Sequence, residues 1–269
     1  MNALSPITHG LGSLRRGIEF IGGIGYLLWD TVRATGRGLF GKRGRRLGWR
    51  NLWAQMDRVG VQSIPIVSLV LFCIGAILAL QMSPILRDYG MVPKVADIIA
   101  VSVFRELGPL MAAIVLTGFA GASIAAEIGT TVVSEEIEAL TAHAIDPIRF
   151  LVVPRVLATA VMLVCVSVVA DVTGVLGGLV ISKVALNLDP LQYLQHSFSV
   201  LKLKDFITGV SKAAVFGVII SSLACYLGLK VTGGALGVGK ATTRTVVLTI
   251  VTLIAVDLLI NGVFFYIGL

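Results

Sequence analysis

Long charge-poor stretches dominate the chain and divide it into five apolar segments. No charged residue lies between Arg58 and Arg87, and a helix needs only about 20 apolar residues to cross the hydrocarbon core of a bilayer. Apolar runs of this length indicate membrane-spanning helices rather than the alternating strands of a soluble domain. The predicted spans cover residues 59–86, 95–126, 156–182, 206–229 and 246–267.

The segment before the first span has a different pattern. Residues 17–32 (GIEFIGGIGYLLWDTV) are apolar but short, and they carry two acidic side chains, which is typical of a helix lying in the membrane interface. The basic stretch 33–50 would then lie among lipid headgroups. We therefore predict an all-α integral membrane protein with a basic N-terminal segment, residues 1–58, and a five-span domain, residues 59–269.

The most polar internal stretch separates the second and third spans. Within residues 127–155, Ser134 is a good helix N-cap, and the acids after it would favour the helix dipole. The pattern predicts a short amphipathic helix over residues 135–143, with Ile137 and Leu140 on one face. Such a helix either docks a soluble partner or lies on the membrane surface.

Composition and charge agree with a membrane protein and give it an orientation. Of the 269 residues, 56% are hydrophobic and 14% charged, which excludes an ordinary soluble domain. The net charge is +7, and ten of the 22 Lys and Arg residues precede residue 60. The positive-inside rule then predicts a cytoplasmic N-terminus and, after five spans, a C-terminus outside. No signal-peptide pattern follows the first Met, and no nucleic-acid partner is needed to explain the charge.

Residues for enzyme or metal chemistry do not group together in the sequence. Each of the three cysteines lies inside an apolar run, and the three histidines are far apart. Neither set has the spacing of a disulfide framework or a metal site. We predict no catalytic residues, no metal site and no cofactor in this chain.

Two charges interrupt the second span. Arg105 and Glu106 stand in the sequence VFRELGPLMAAIVL, and charges at membrane depth cost about 2.5–3.5 kcal/mol each on insertion scales. Either they face a partner, a cavity or a pore, or they lie in the outer interface and reach water. Pro109 removes a backbone donor and Gly108 allows close approach, so the pattern predicts a kinked or broken helix here.

Other intramembrane charges leave two interpretations open. Asp171, Lys212 and Asp257 fall in the third, fourth and fifth spans. They could form a proton or ion relay, or they could make interhelical contacts in which Lys212 pairs with one of the aspartates.

The sequence GALGVGK, residues 234–240, nearly matches a nucleotide-binding phosphate loop. It has the two glycines and the lysine, but Ala241 stands where Ser or Thr should coordinate magnesium. Such a loop also needs a preceding core strand, whereas this run connects two apolar spans. We therefore do not expect nucleotide binding here.

Two segments carry a resemblance to a known family. They are FRELGPLMAAIVLTGFAGASIAAEIGTTVVSEEIEALTAHAIDPIRFLVVPRVLA, residues 104–158, and GVGKATTRTVV, residues 237–247. Both resemble signatures of the MlaE/YrbE permease family of ABC transporters. With the basic N-terminal segment and the five spans, the resemblance covers essentially the whole chain.

The resemblance implies a transport subunit of a bacterial inner membrane. In it, a permease homodimer works with two ABC ATPase subunits, which bind ATP and Mg, and with an MCE-type substrate-binding protein. The assembly moves phospholipid or another hydrophobic molecule, and the resemblance also allows a small STAS-type subunit. The chain itself would not be an enzyme.

The resemblance also assigns roles to residues of the two polar regions. Arg105, Glu106 and Leu107 would line the lipid cavity near the dimer axis. The helix over 135–143 would be a cytoplasmic coupling helix seated in the ATPase. Its contact residues would be Glu135, Glu136, Ile137, Glu138 and Leu140.

One departure and two rival functions stay open. The family commonly has Arg where this chain has Phe119, which puts the role of that cation in doubt. An ion-coupled secondary transporter would use Asp171, Asp257 and Lys212 without an ATPase. A membrane scaffold would tolerate replacement of Arg105 and Glu106.

Overall fold

The computed structural model describes Glu19, residues 22–36 and residues 49–267, and every regular element within them is helical. Short π-helical turns join several of the α-helices. The helices are α1 (22–36), α2 (Trp49–Val59), α3 (Ile64–Asp88), α4 (Lys94–Ser102), α5 (Gly108–Leu116), α6 (Ala122–Val133), α7 (Glu136–Ala142), α8 (Val153–Leu186), α9 (Pro190–Val200), α10 (Leu203–Leu229) and α11 (Gly234–Ile267).

Five stretches of helix are long and apolar enough to cross a bilayer, which confirms the predicted number of spans. Each is longer than predicted, because helical backbone continues past the apolar run into polar flanks. At about 1.5 Å per residue, the 40-residue second span is roughly twice as long as the hydrocarbon core is thick. The spans are Asn51–Asp88, Lys94–Val133, Ile148–Leu186, Leu203–Leu229 and Gly234–Ile267.

Small residues let the helices approach closely. A Cβ added to Gly75 of α3 would lie 1.8 Å from the Gly174 carbonyl oxygen of α8, and one added to Gly177 would lie 2.0 Å from the Phe72 carbonyl oxygen. Only glycine fits at such backbone crossings, which is a common way for membrane helices to associate. The α3–α8 pair is therefore fixed by direct backbone contact.

The spans differ in how much of their surface the bundle covers. Two thirds of the most apolar stretch of α10 is buried, against 17% for α11. The helix α10 is therefore central, and α11 is peripheral. From Val247 to the end of α11 the exposed face is apolar, with Val251 60%, Leu258 72% and Phe265 88% exposed, so this part of the helix must meet lipid or another subunit.

Residues before the first span are partly described. The helix α1 packs Leu27, Thr31 and Ala34 against the bundle and exposes Tyr26 and Trp29. This amphipathic helix extends past the predicted end at residue 32. Its position in the membrane interface and the domain boundary at 58/59 stay predictions.

The short helix between spans two and three is confirmed, but its cap is not the predicted one. The helix α7 spans Glu136–Ala142 and buries none of its residues. Ser134 ends α6 instead, and its hydroxyl donates to the Thr130 carbonyl oxygen at 2.9 Å. Glu135 takes the N-cap position with a left-handed backbone (φ 59°), because the chain must turn sharply between two consecutive helices.

One helix was missed by the sequence interpretation. Residues 183–205 were read as a loop, whereas Pro190–Val200 form α9 and bury Tyr193 against the bundle. Burial raises the pKa of the Tyr193 phenol. Pro190 could have indicated this helix, because proline favours the first position of a helix.

Candidate functional site

A π-helical turn in the second span carries two of the predicted site residues. It covers Val103–Leu107 and closes where the Gly108 N–H donates to the Val103 carbonyl oxygen. Such π turns inside α-helices are frequent at functional sites. The irregularity predicted around Pro109 takes the form of this π turn: a new α-helix, α5, begins at Gly108, and Pro109 takes a first-turn position in it, where its missing N–H costs little.

Glycine lets α10 contact this turn. A Cβ added to Gly209 would lie 2.2 Å from the carbonyl oxygen of Phe104, so no other residue fits there without moving the backbone. The N-terminal part of α10 thereby comes beside Arg105 and Glu106. This contact brings together residues about one hundred positions apart in the sequence.

Arg105 pairs with the first turn of α10. Its Nε lies 3.2 Å from Oδ1 of Asp205. The other carboxylate oxygen of Asp205 accepts a hydrogen bond from the Lys202 backbone N–H at 2.9 Å, so Asp205 is held by its own helix. The Arg105 side chain remains 39% exposed.

Lys212 of α10 is the centre of a second polar group. Its ammonium donates hydrogen bonds to Glu106 and to Asn261 Oδ1, the latter at 2.6 Å. It also forms an ion pair with Asp257 Oδ1 at 3.1 Å. Asn261 in turn donates to Glu106 Oε1 at 2.7 Å. The group ties spans two, four and five together.

The two cations therefore have different donors available. The Lys212 side chain is 1% exposed, and its ammonium makes two hydrogen bonds and an ion pair with Asp257, so protein groups surround all of it. Arg105 has five donors, and among the described residues its recorded partner is Asp205, through Nε. The Nη groups of Arg105 thus remain able to bind an anion.

A cavity of about 280 Å³ opens beside these groups. Its polar wall includes Arg105, Glu106 and Lys212, and its apolar wall includes Phe264 and Phe265 of α11. Leu107 is half-buried and does not line this cavity among the described residues. The site thus combines a cation with spare donors and an aromatic wall that is largely exposed.

Asp171 does not join this cluster. It is 3% exposed, and its Oδ1 has no hydrogen-bond partner among the described residues. That oxygen lies against Gly108, where a Cβ would come within 1.7 Å of it. Lys212 therefore pairs with Asp257, as one of the two sequence interpretations allowed, while Asp171 packs separately against the start of α5.

A further polar cluster lies toward the α7 end of the bundle. Glu127 of α6 forms ion pairs with Arg58 and with Arg155, the latter at 3.1 Å. Phe119 lies in the π turn Thr117–Gly121 and lines a cavity of about 260 Å³ together with Arg58. A cation therefore reaches the space beside Phe119 from α2.

The sequence GALGVGK is helical rather than a loop. It forms the first turns of α11. Gly233, just before it, and Gly234, its first residue, have φ of +87° and +67°. A phosphate loop holds its ligand with backbone N–H groups that a continuous helix uses internally. Lys240 is nevertheless exposed and lines a pocket.

Sequence reasoning missed three residues near Arg105 and Lys212. Asp205, Asn261 and Phe264 were not singled out, although an asparagine inside the fifth apolar run is a polar exception of the same kind as Asp257. The signal for Asp205 was weaker, because it falls at the predicted edge of a span.

Comparison with known proteins places the chain in a family. Residues 52–263 match the family described as Permease MlaE. A probable ABC transporter permease protein of Rickettsia typhi is 40% identical over 78% of this chain and 82% of that protein. The intermembrane phospholipid transport system permease protein MlaE of Haemophilus influenzae is 30% identical over 93% and 99% of the two chains.

A plant protein is also similar. The chloroplastic protein TRIGALACTOSYLDIACYLGLYCEROL 1 of Arabidopsis thaliana is 30% identical over 82% of this chain and 63% of its own length. The family match covers more than half of the chain, and it includes the π turn with Arg105, the helix α7 and most of α11. This multi-pass membrane protein therefore belongs to the MlaE permease family and is an ABC transporter permease.

Proposed function

We propose that this chain is the permease subunit of a phospholipid transporter, in which Arg105 binds the lipid phosphate. The observation that supports the proposal is the difference in free hydrogen-bond donors between Arg105 and Lys212. Arg105 keeps free Nη donors beside an exposed aromatic wall, whereas Lys212 is surrounded by protein acceptors. A guanidinium whose two Nη groups are free can bind a phosphate through one planar edge, which suits it better for phosphate than an ammonium.

The neighbouring groups keep Arg105 in place rather than compete for the ligand. Asp205 contacts Nε only, so the opposite edge of the guanidinium stays open to the cavity. Glu106 is held by Lys212 and Asn261 and supports the turn that carries Arg105. In this proposal Arg105 and Glu106 form the polar part of the lipid site, and Leu107 packs beside them.

ATP hydrolysis in a partner chain drives the transport. We propose that α7, which buries none of its residues, is the coupling helix that docks into an ABC ATPase subunit. Residues Glu135, Glu136, Ile137, Glu138 and Leu140 form its contact surface. Because α6 is the last part of the second span and is followed directly by α7, movement of α7 would reach the Arg105 turn through the helices of that span.

The assembly proposed is the one that members of this family form. Two copies of the chain pair in the bacterial inner membrane, with two ATPase subunits on the cytoplasmic side and an MCE-type substrate-binding protein on the other. A small STAS-type subunit fits the same assembly. The N-terminus is cytoplasmic and the C-terminus periplasmic, in line with the cationic N-terminal segment.

The ion-coupled alternative has less support. Its three titratable residues would have to exchange charge, but Asp171 lies apart from the Lys212–Asp257 pair. Lys212 is also surrounded by acceptors that bind three helices together. Its position therefore favours a structural role.

Co-purification tests the proposed function. We would express the chain with the ATPase and MCE-type genes of the same bacterium, isolate the complex, and measure phospholipid transfer between the reconstituted permease and the MCE-type protein. ATP-dependent transfer supports the proposal. An ATPase that never co-purifies, or transfer driven by an ion gradient without ATP, would contradict it.

A further inference from the structure

The basic end of α11 lines a pocket that is separate from the cavity beside Arg105. The pocket holds about 410 Å³ at the α7 end of the bundle, between α10 and α11. Three cations reach it: Lys230 after α10, and Lys240 and Arg244 of α11. Lys240 and Arg244 are four positions apart, so their side chains extend from the same face of the helix.

Few acidic or acceptor groups of the described residues neutralise these cations. Among the described residues, neither Lys240 nor Arg244 makes a recorded hydrogen bond or ion pair, and both are exposed. Lys230 is oriented by Tyr226: its Nζ donates to the phenol oxygen at 2.5 Å and lies 4.4 Å from the ring centroid. Glu19 is the acidic residue of the described lining. Such an excess of donors suits an anion with several acceptor oxygens.

An apolar groove continues from the same two cations. Lys240 and Arg244 also line a second space of about 740 Å³, whose other walls include Leu236, Val247 and Leu248. Leu236 is 81% exposed and Val247 56% exposed. A cationic pocket joined to an apolar groove along a membrane helix complements an amphiphile that has an anionic head and a hydrocarbon chain.

We propose that Lys230, Lys240 and Arg244 bind the phosphate of an anionic membrane lipid whose acyl chain lies in the groove along α11. The site lies in the leaflet on the α7 side, at the opposite end of α10 from Asp205, and is therefore separate from the Arg105 cavity. A soluble phosphate compound shares the headgroup chemistry, but it would not use the groove.

Lipid titration of the full chain tests this site. The chain would be delipidated in nonionic detergent and titrated with phosphatidylglycerol, and bound lipid would be counted by native mass spectrometry. Removing both cations (K240A/R244A) should weaken binding of one lipid per chain about tenfold or more, since each surface cation adds to attraction for anionic lipid. Exchanging them (K240R/R244K) should retain binding, and Arg105→Ala should leave this lipid in place.

A groove variant distinguishes the two sources of phosphate. A Cβ at Gly239 would meet no atom within 4 Å, so Gly239→Leu fills the groove and leaves all three cations in place. It should weaken phosphatidylglycerol binding several-fold, and inorganic phosphate at equal concentration should not displace the lipid from the unmodified chain. Unchanged lipid binding in K240A/R244A would overturn the site. Displacement by phosphate together with full binding in Gly239→Leu would overturn the lipid assignment.

Discussion

Lys212 of α10 forms an ion pair with Glu106 of the second span, and its side chain is only 1% exposed. The pair joins two helices next to the residue that we propose binds phosphate. Lys212 also pairs with Asp257, whose side chain is 8% exposed, and removing one partner of such a buried pair leaves an uncompensated charge that costs about 3–5 kcal/mol. We therefore expect the contact to affect the stability of the bundle as well as transport.

Lys212→Met should lower the thermal stability of the chain in detergent strongly, because Glu106 and Asp257 would then face each other without a cation. Adding Glu106→Gln should recover part of the loss, since one of the two carboxylates is neutralised. The measurement is the melting temperature of each variant by intrinsic fluorescence. Equal melting temperatures for the wild type and Lys212→Met would show that the ion pair does not stabilise the bundle.

A second prediction concerns the packing of Asp171. Gly108→Ala should destabilise the chain by about 1–3 kcal/mol, because overpacking forces the backbone or the buried side chain to move, and the added methyl would come within 1.7 Å of Asp171 Oδ1. Gly118→Ala is the matched control. Its Cβ meets no atom within 4 Å, so it should be neutral or stabilising by up to about 1 kcal/mol.

A third prediction concerns docking of the ATPase. Ala139 lies exposed in the middle of α7, so Ala139→Trp should block docking by bulk without changing the charge or the bundle. Co-purification of the ATPase should fall by at least tenfold. Ala185→Trp, at an exposed position near the end of α8, should leave co-purification unchanged. Equal recovery of the ATPase with both variants would remove α7 from the contact.

The orientation can be tested by labelling. In a chain whose three cysteines are replaced by alanine, Ala142→Cys in α7 should react with a membrane-impermeant maleimide only after the cells are permeabilised. Ser199→Cys in α9 should react in intact cells, because the third span, Ile148–Leu186, separates α9 from α7. Both positions are exposed. The reverse labelling pattern would place the N-terminus outside.

How much the sequence predicts depends on the kind of interaction involved. The five spans and α7 follow from apolar length and local polarity, and these were predicted. The partners of Arg105 and Lys212 depend on how α10 and α11 pack against the second span, through the close contact at Gly209. Apolar periodicity carries no information about that pairing, so Asp205 and Asn261 could not be assigned from it.

The helix boundaries show the same limit. Hydropathy marks the residues that lie in hydrocarbon, whereas a helix ends where the chain turns and its terminal N–H and C=O groups find other partners. The fifth span therefore begins at Gly234 rather than at residue 246, which places Lys240 and Arg244 on a helix face. The irregularity expected around Pro109 is present, but its form, a π turn followed by a new α-helix, could not be read from the proline alone.

The central claim is that Arg105 binds lipid phosphate, and lipid extraction from the purified complex tests it most directly. Arg105→Ala would be compared with Arg87→Ala, an exposed arginine at the same end of the bundle, after equal assembly of both variants has been checked. We predict that Arg105→Ala loses transferable phospholipid and lipid-stimulated ATP hydrolysis by about tenfold or more, while Arg87→Ala retains both. Equal lipid recovery and equal hydrolysis in the two variants would contradict the account.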